Sequence, residues 1–225
     1  MAPPTPHFGP GLFAFFVELS ANNNKDWFAA NKARYERDVR DPALRFISDF
    51  APRLKEISGS FVADPRPVGG SMFRIFRDTR FSKDKTPYKT QLGIHFRHAA
   101  TTKDVHAPGF YLGIGADELM AGGGLWQPPP DSLKAVREAI LARPDAWGEA
   151  TASRTMWGEQ LKKVPAGYDA THRFADDLRR KDFVASVTLT PADVIAADFL
   201  DRYADACRQL APLQRFLTGA MGLSW

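Results

Sequence analysis

Three β-rich runs, at 90–97, 109–115 and 118–125, follow one another through connections too short for a helical crossover. Strands joined in this way pair antiparallel, and no other feature constrains the fold as much. In the first run Leu92, Ile94 and Phe96 alternate with Gly93, His95 and Arg97, the pattern of a strand with one face buried. A further run is read at 72–77, and Phe183-Val184-Ala185-Ser186-Val187 as one more strand, at a sheet edge. Gly122-Gly123-Gly124 weakens the end of its run and predicts a bulge, or a place where a backbone or ligand comes close.

Helical patterns flank this region. Leu12, Phe15 or Phe16, and Leu19 predict a helix over 10–20, and Asn24 caps a second in which Trp27, Asn31 and Tyr35 share a face. Asp41-Pro42 predicts an N-cap and first-turn proline for a third, ended by Gly59. After Pro128-Pro129-Pro130, Asp131 or Ser132 is read as the cap of a helix with Leu133, Val136, Ile140 and Leu141 inward, stopped at Pro144. Thr190-Pro191-Ala192-Asp193 predicts a capping box before the last helices. The order predicts an α+β fold. A central, mainly antiparallel sheet is preceded by three N-terminal helices and followed by C-terminal helices. A single domain over 1–225 is expected, with an ordered core at 8–222 and a flexible 1–7.

Hydrophobic content of 44% and charged content of 25% are those of a soluble globular protein. Nothing near the N-terminus reads as a signal peptide, and no apolar run reaches the roughly 20 residues of a membrane helix. Cys207 is the only cysteine and falls in a helical pattern, so a buried inert thiol in a reducing compartment is expected. A cytoplasmic protein with no membrane partner follows.

The charge is not evenly spread. Between Met72 and Lys103, Arg74, Arg77, Arg80, Lys83, Lys85, Lys89, Arg97 and Lys103 face only Asp78 and Asp84. Eight cations against two anions make a net of +6, where the whole chain carries +4. Arginine forks, mobile lysines and interleaved hydroxyls are the groups that cradle a phosphate or carboxylate. The predicted ligand-binding residues are Arg74, Arg77, Arg80, Ser82, Lys83, Lys85, Tyr88 and Lys89, with Gly123 and Trp126 as backbone approach and wall. His106 and Tyr88 are the candidates for proton transfer. Strand alternation sends Arg74 and Arg77 to opposite faces, which narrows the site to the turn at 77–90. A small phosphorylated or carboxylated ligand is the expected partner, with or without a reaction. Nucleic acid, contacted through the same cations with Phe81 or Tyr88 stacking, is the alternative. A purely structural role, in which the basic segment pairs with acids on the flanking helices, is the third, and Asp78 and Asp84 could each also pair with a neighbouring cation.

Other chemistries find less support. His95, His98 and His106 invite a metal reading, but His95 and His98 fall on opposite faces of a strand and no carboxylate stands at ligand spacing, so no metal is predicted. No cofactor motif, nucleophile elbow or phosphate loop is present. Asp117-Glu118 reads as a hairpin turn, with a catalytic carboxylate there the lesser reading.

The stretches RDTRFSKDKTPYKT (77–90), KDVHAPGFYL (103–112), GGGLWQP (122–128), GYD (167–169), KDF (181–183) and APLQRF (211–216), with the opening Asn23 to Phe28, resemble the bacterial domain-of-unknown-function family 2461. The resemblance covers about residues 8–222. It implies a single domain and assigns no activity and no role to any side chain.

Overall fold

The computed structural model describes residues 5–102, 104–116, 119–152 and 154–225. Its centre is a sheet of β1 (Gln91–Arg97), β2 (Gly109–Gly115), β3 (Leu119–Leu125), β4 (Met156–Trp157) and β5 (Phe183–Thr188) in the order β1-β2-β3-β5-β4. Every neighbouring pair is antiparallel, which the short connections require for β1, β2 and β3. β5 is therefore not an edge strand. Met156 and Trp157 pair with Ala185 and Val184 outside it, a two-residue strand too short to show in local sequence. The turn expected at Asp117-Glu118 and the end of the basic segment at Lys103 lie outside the described residues.

The segment at 72–77 is not a regular strand. Phe73 N–H donates to Gly93 O (2.9 Å), and His95 N–H donates in return to Ser71 O (2.8 Å). Farther on, Arg77 N–H bonds Pro87 O and Lys89 N–H bonds Ile75 O. The segment divides its pairing between β1 and its own return, so only single bridges form, Met72 with Ile94 and Phe76 with Tyr88.

The leading helices are α1 (Pro10–Ala21), α2 (Lys25–Ala30), α3 (Lys32–Tyr35) and α4 (Asp41–Ile57). Asn24 caps α2 by accepting from Trp27 N–H at 2.9 Å. The expected second helix divides at Asn31, whose backbone leaves the helical region. Asp41 is not an N-cap: α3 runs into α4 through a π-helical turn at Glu36–Arg40, closed by Asp41 N–H on Glu36 O. Pro42, with no N–H to give, sits where the ladder changes register.

After the hairpins come α5 (Pro130–Ala142), α6 (Pro144–Thr151), α7 (Ala175–Leu178), α8 (Pro191–Ile195) and α9 (Phe199–Ala220). The capping box at Thr190 and Asp193 opens α8. No side chain caps α5, which starts at Pro130 instead of after Asp131 or Ser132. Leu141 is exposed, and its inward place is taken by Arg137, whose guanidinium donates to the Leu178 and Arg180 carbonyls at 2.8 and 2.9 Å. Among the described residues no helix is long and apolar enough to cross a membrane.

Alternation now acquires a direction. Leu92, Ile94 and Phe96 stand opposite Ile114, Leu112 and Phe110 and are buried beneath the helices. Phe50 of α4 and Tyr203 of α9 close over them, with ring centroids 4.8 Å (Phe50–Phe96) and 4.9 Å (Phe50–Tyr203) apart. α9 lies so close to β3 that a Cβ at Gly123 would sit 3.3 Å from Leu210 Cβ. The glycine run does mark a close approach, and here the approaching element is the chain's own helix.

Candidate functional site

All the long helices that pack on the sheet lie on one face. On the other, the alternate positions enclose a cavity of about 810 Å³, within the range of small-ligand pockets. Its floor is backbone at Gly93, Gly109, Gly122 and Gly124. Phe73, Tyr111, Trp126 and Trp157 form aromatic walls, the two tryptophans half exposed at the mouth. Gly124 has a φ of 136° and a Cβ there would lie 2.0 Å from Phe183 O. The strand end therefore requires glycine, and the cavity inherits the space. Gly109 is required by the site itself, since a Cβ would fall 2.2 Å from His95 Nε2.

Few polar groups reach this space. Lys89 is half-buried in the wall, with Nζ 4.9 Å from the Phe73 ring centroid. Burial, and after it the neighbouring Arg74, lower the pKa of this ammonium. His95 lines the cavity at 8% exposure. Burial first, and Arg97 second, push its imidazole down to about 3, so the ring is neutral at physiological pH. Gln91 Nε2 donates to the Tyr111 hydroxyl at 3.4 Å, and Ser186 completes the polar lining.

Of the residues expected from sequence, Lys89, Gly123 and Trp126 line this cavity. Arg77 and Tyr88 instead line, with Lys89 and Asn23, a neighbouring recess of about 420 Å³. Tyr88 is a packed residue, stacked on Phe28 at 4.2 Å, with its backbone clasped by both ends of the Asn23 amide. His106 stands outside the cavity lining, its Nδ1 3.0 Å from Trp126 O. Arg74, Arg80, Ser82, Lys83 and Lys85 line neither space.

The turn at 77–90 is largely paired within itself. Arg77 bonds the Asp84 carboxylate and the Thr86 hydroxyl. Arg80 forks onto Asp78, with Nη2 to Oδ2 at 2.6 Å, and Lys85 Nζ donates to Thr79 O at 2.9 Å. Both carboxyls respond. Asp78 is drawn down to about 2 by the Arg80 side chain and then its N–H; Asp84 also falls to about 2, through Thr86 N–H and then Arg77. Arg74 and Lys83 stay exposed and form no close ion pair among the described residues, although the Arg74 charge also acts on Asp78.

The histidines read as candidate ligands separate. His98 Nε2 meets Ser224 O at 2.9 Å and its Nδ1 accepts from Ala100 N–H. No group of metal-ligating side chains forms among the described residues. Cys207 is buried, and burial raises its thiol pKa. Sequence reasoning missed Phe73, Gln91, Tyr111, Trp157 and Ser186 as cavity residues, and took His95 only as a metal candidate. The signal for Gln91, His95 and Tyr111 was present in β1 and its partner, where Gln91 and His95 share the face opposite Leu92, Ile94 and Phe96 and Tyr111 stands across from His95.

A family model described as a conserved hypothetical protein (DUF2461) matches residues 11–216. No curated protein and no solved structure matches the chain.

Proposed function

The chain belongs to this family of conserved hypothetical proteins, and we propose from the site's own chemistry that it binds a small carboxylic acid with an apolar or aromatic body in the cavity on the open face of the sheet. The observation that carries this is Lys89. It is the one cation among the described lining residues, it is half-buried, and its charged neighbour is Arg74, another cation. A partly desolvated ammonium without an anion is costly, and an incoming carboxylate repays that cost where walls exclude water. A single lysine suits a monoanion better than a phosphate dianion, and aromatic walls over a glycine floor suit a flat or slender body. His106 and Tyr88 stand off the cavity lining, so the reading includes no reaction step.

The test is calorimetric and thermal titration with aryl and alkyl carboxylates beside their uncharged amides. Acids should raise the melting temperature where amides do not, and Lys89→Met should weaken the acids about tenfold, or ~1.4 kcal/mol. Gly122→Leu should abolish binding without unfolding, because a Cβ there meets Tyr111 no closer than 3.6 Å while the rest of the side chain fills the cavity. Acids that bind Lys89→Met as well as the parent would sink the reading.

A nucleic-acid contact is the second reading, favoured by one observation. Phe81 is 96% exposed at the tip of the basic turn, close to the unpaired Lys83. Single-stranded oligonucleotides should then bind at low salt, weaken steeply with added salt, and lose affinity in Phe81→Ala and Lys83→Ala.

A further inference from the structure

The chain has five histidines, and four have a hydrogen-bond partner for the ring. His7 Nε2 meets Asp49, His98 uses both nitrogens, His106 meets Trp126 O, and His172 Nδ1 accepts from Phe174 N–H. His95 is different. It is more than nine-tenths buried, it lines the cavity, and neither ring nitrogen has a partner among the described residues. Its nitrogens are not among the polar atoms sealed away from all accessible space, so the ring opens onto the cavity and is left for whatever enters.

What enters is limited by the chemistry of the ring. A neutral imidazole presents one N–H donor and one acceptor lone pair. A carboxylate would satisfy only the donor and would sit against a ring that resists protonation; an ammonium would satisfy only the acceptor. A hydroxyl suits either nitrogen, because it both donates and accepts. The position of the ring is held by the fold: Gly109 leaves the space beside Nε2, and Phe73 packs on it at 6.1 Å between centroids. The same Phe73 ring carries Lys89 Nζ at 4.9 Å. One aromatic wall thus neighbours two anchors of different chemistry.

We infer that His95 is a specificity-determining residue that recognises a hydroxyl group on the ligand, so that the ligand is a hydroxylated carboxylic acid with its carboxylate at Lys89 and its hydroxyl at His95. The inference rests on the carboxylate reading of the cavity and adds the second anchor.

The experiment compares matched pairs that differ only in the hydroxyl: 3-(4-hydroxyphenyl)propionate with 3-phenylpropionate, and 6-hydroxyhexanoate with hexanoate. Affinities are measured by calorimetry on the parent, His95→Leu and His95→Asn. In the parent, the hydroxylated member of at least one pair should bind about tenfold more tightly. His95→Leu should erase that preference, so that the two members of each pair bind alike, and His95→Asn, which keeps a donor and an acceptor, should restore part of it. If His95→Leu does not fold, ¹⁵N resonances of the parent decide, since the hydroxylated acid should shift the His95 ring nitrogens and the deoxy acid should not. Equal binding within every pair, or a preference that survives in His95→Leu, overturns the hydroxyl inference and leaves the carboxylate site standing. Absence of binding by all four acids, with no difference between the parent and Lys89→Met, overturns both.

Discussion

On the helix-covered face of the sheet, Leu92, Ile94 and Phe96 meet Phe110, Leu112 and Ile114, with Phe50 and Tyr203 above them. On the opposite face, one residue out of step along the same strands, stand Gln91, Gly93, His95, Tyr111 and Gly122. The two faces share one backbone and one register. They differ in side-chain volume, large where helices must be held and absent where a space must be kept. Stability should therefore be concentrated on the first face and recognition on the second, and substitutions placed on each put that division to the test.

The largest effect is expected on the covered face. Phe50→Ala removes a fully buried ring between Phe96 and Tyr203 and should cost about 3–5 kcal/mol in denaturant unfolding. A cost near that of a surface substitution would break the comparison. Gly122→Leu, on the open face, should change unfolding by less than ~1 kcal/mol even as it closes the cavity to ligands. A large loss of stability there would mean that the glycine floor serves packing.

A subtler contrast lies inside the covered face. Gln214 is fully buried on α9, and neither amide atom has a hydrogen-bond partner among the described residues. Gln214→Met keeps the length and removes the polar atoms, and should stabilise the fold by about 1 kcal/mol. Destabilisation would show that the amide is satisfied by solvent held between α9 and the sheet. The smallest effect belongs to the basic turn. The depressed Asp84 carboxyl favours the paired turn above the ordinary carboxylate value, and that contribution is lost as the pH falls from about 4 through about 2. A carbon-detected titration should place the Asp84 midpoint at about 2 while sheet resonances stay in place. A midpoint near the ordinary value would mean that the contacts to Thr86 and Arg77 are not kept in solution.

The basic segment shows why composition and site diverged. A run of cations is visible in sequence, but whether Asp78 and Asp84 neutralise it depends on how the turn folds, and Arg77 and Arg80 are each taken by one of them. Lys89 escapes that pairing because it lies just before β1, where the chain leaves the turn for the cavity. His95 was legible as an inward or outward strand residue, not as a lone imidazole, since lacking a partner is a property of the surroundings. Trp157 was invisible as a site residue, because its strand exists only through pairing with Val184.

Local patterning determined the α+β order, the antiparallel pairing, the Asn24 and Thr190 caps and the buried side of β1, because each depends on residues close together in the chain or on the period of a strand. The glycine run announced a close approach for the same reason, since a missing side chain is a local fact. Which element approached, and what space remained on the other side, depended on β5 and α9 arriving from some 60 to 90 residues farther along the chain. Only the tertiary structure could bring Lys89 and His95 to the same Phe73 ring, because a cavity is defined by surfaces that meet after the strands have paired.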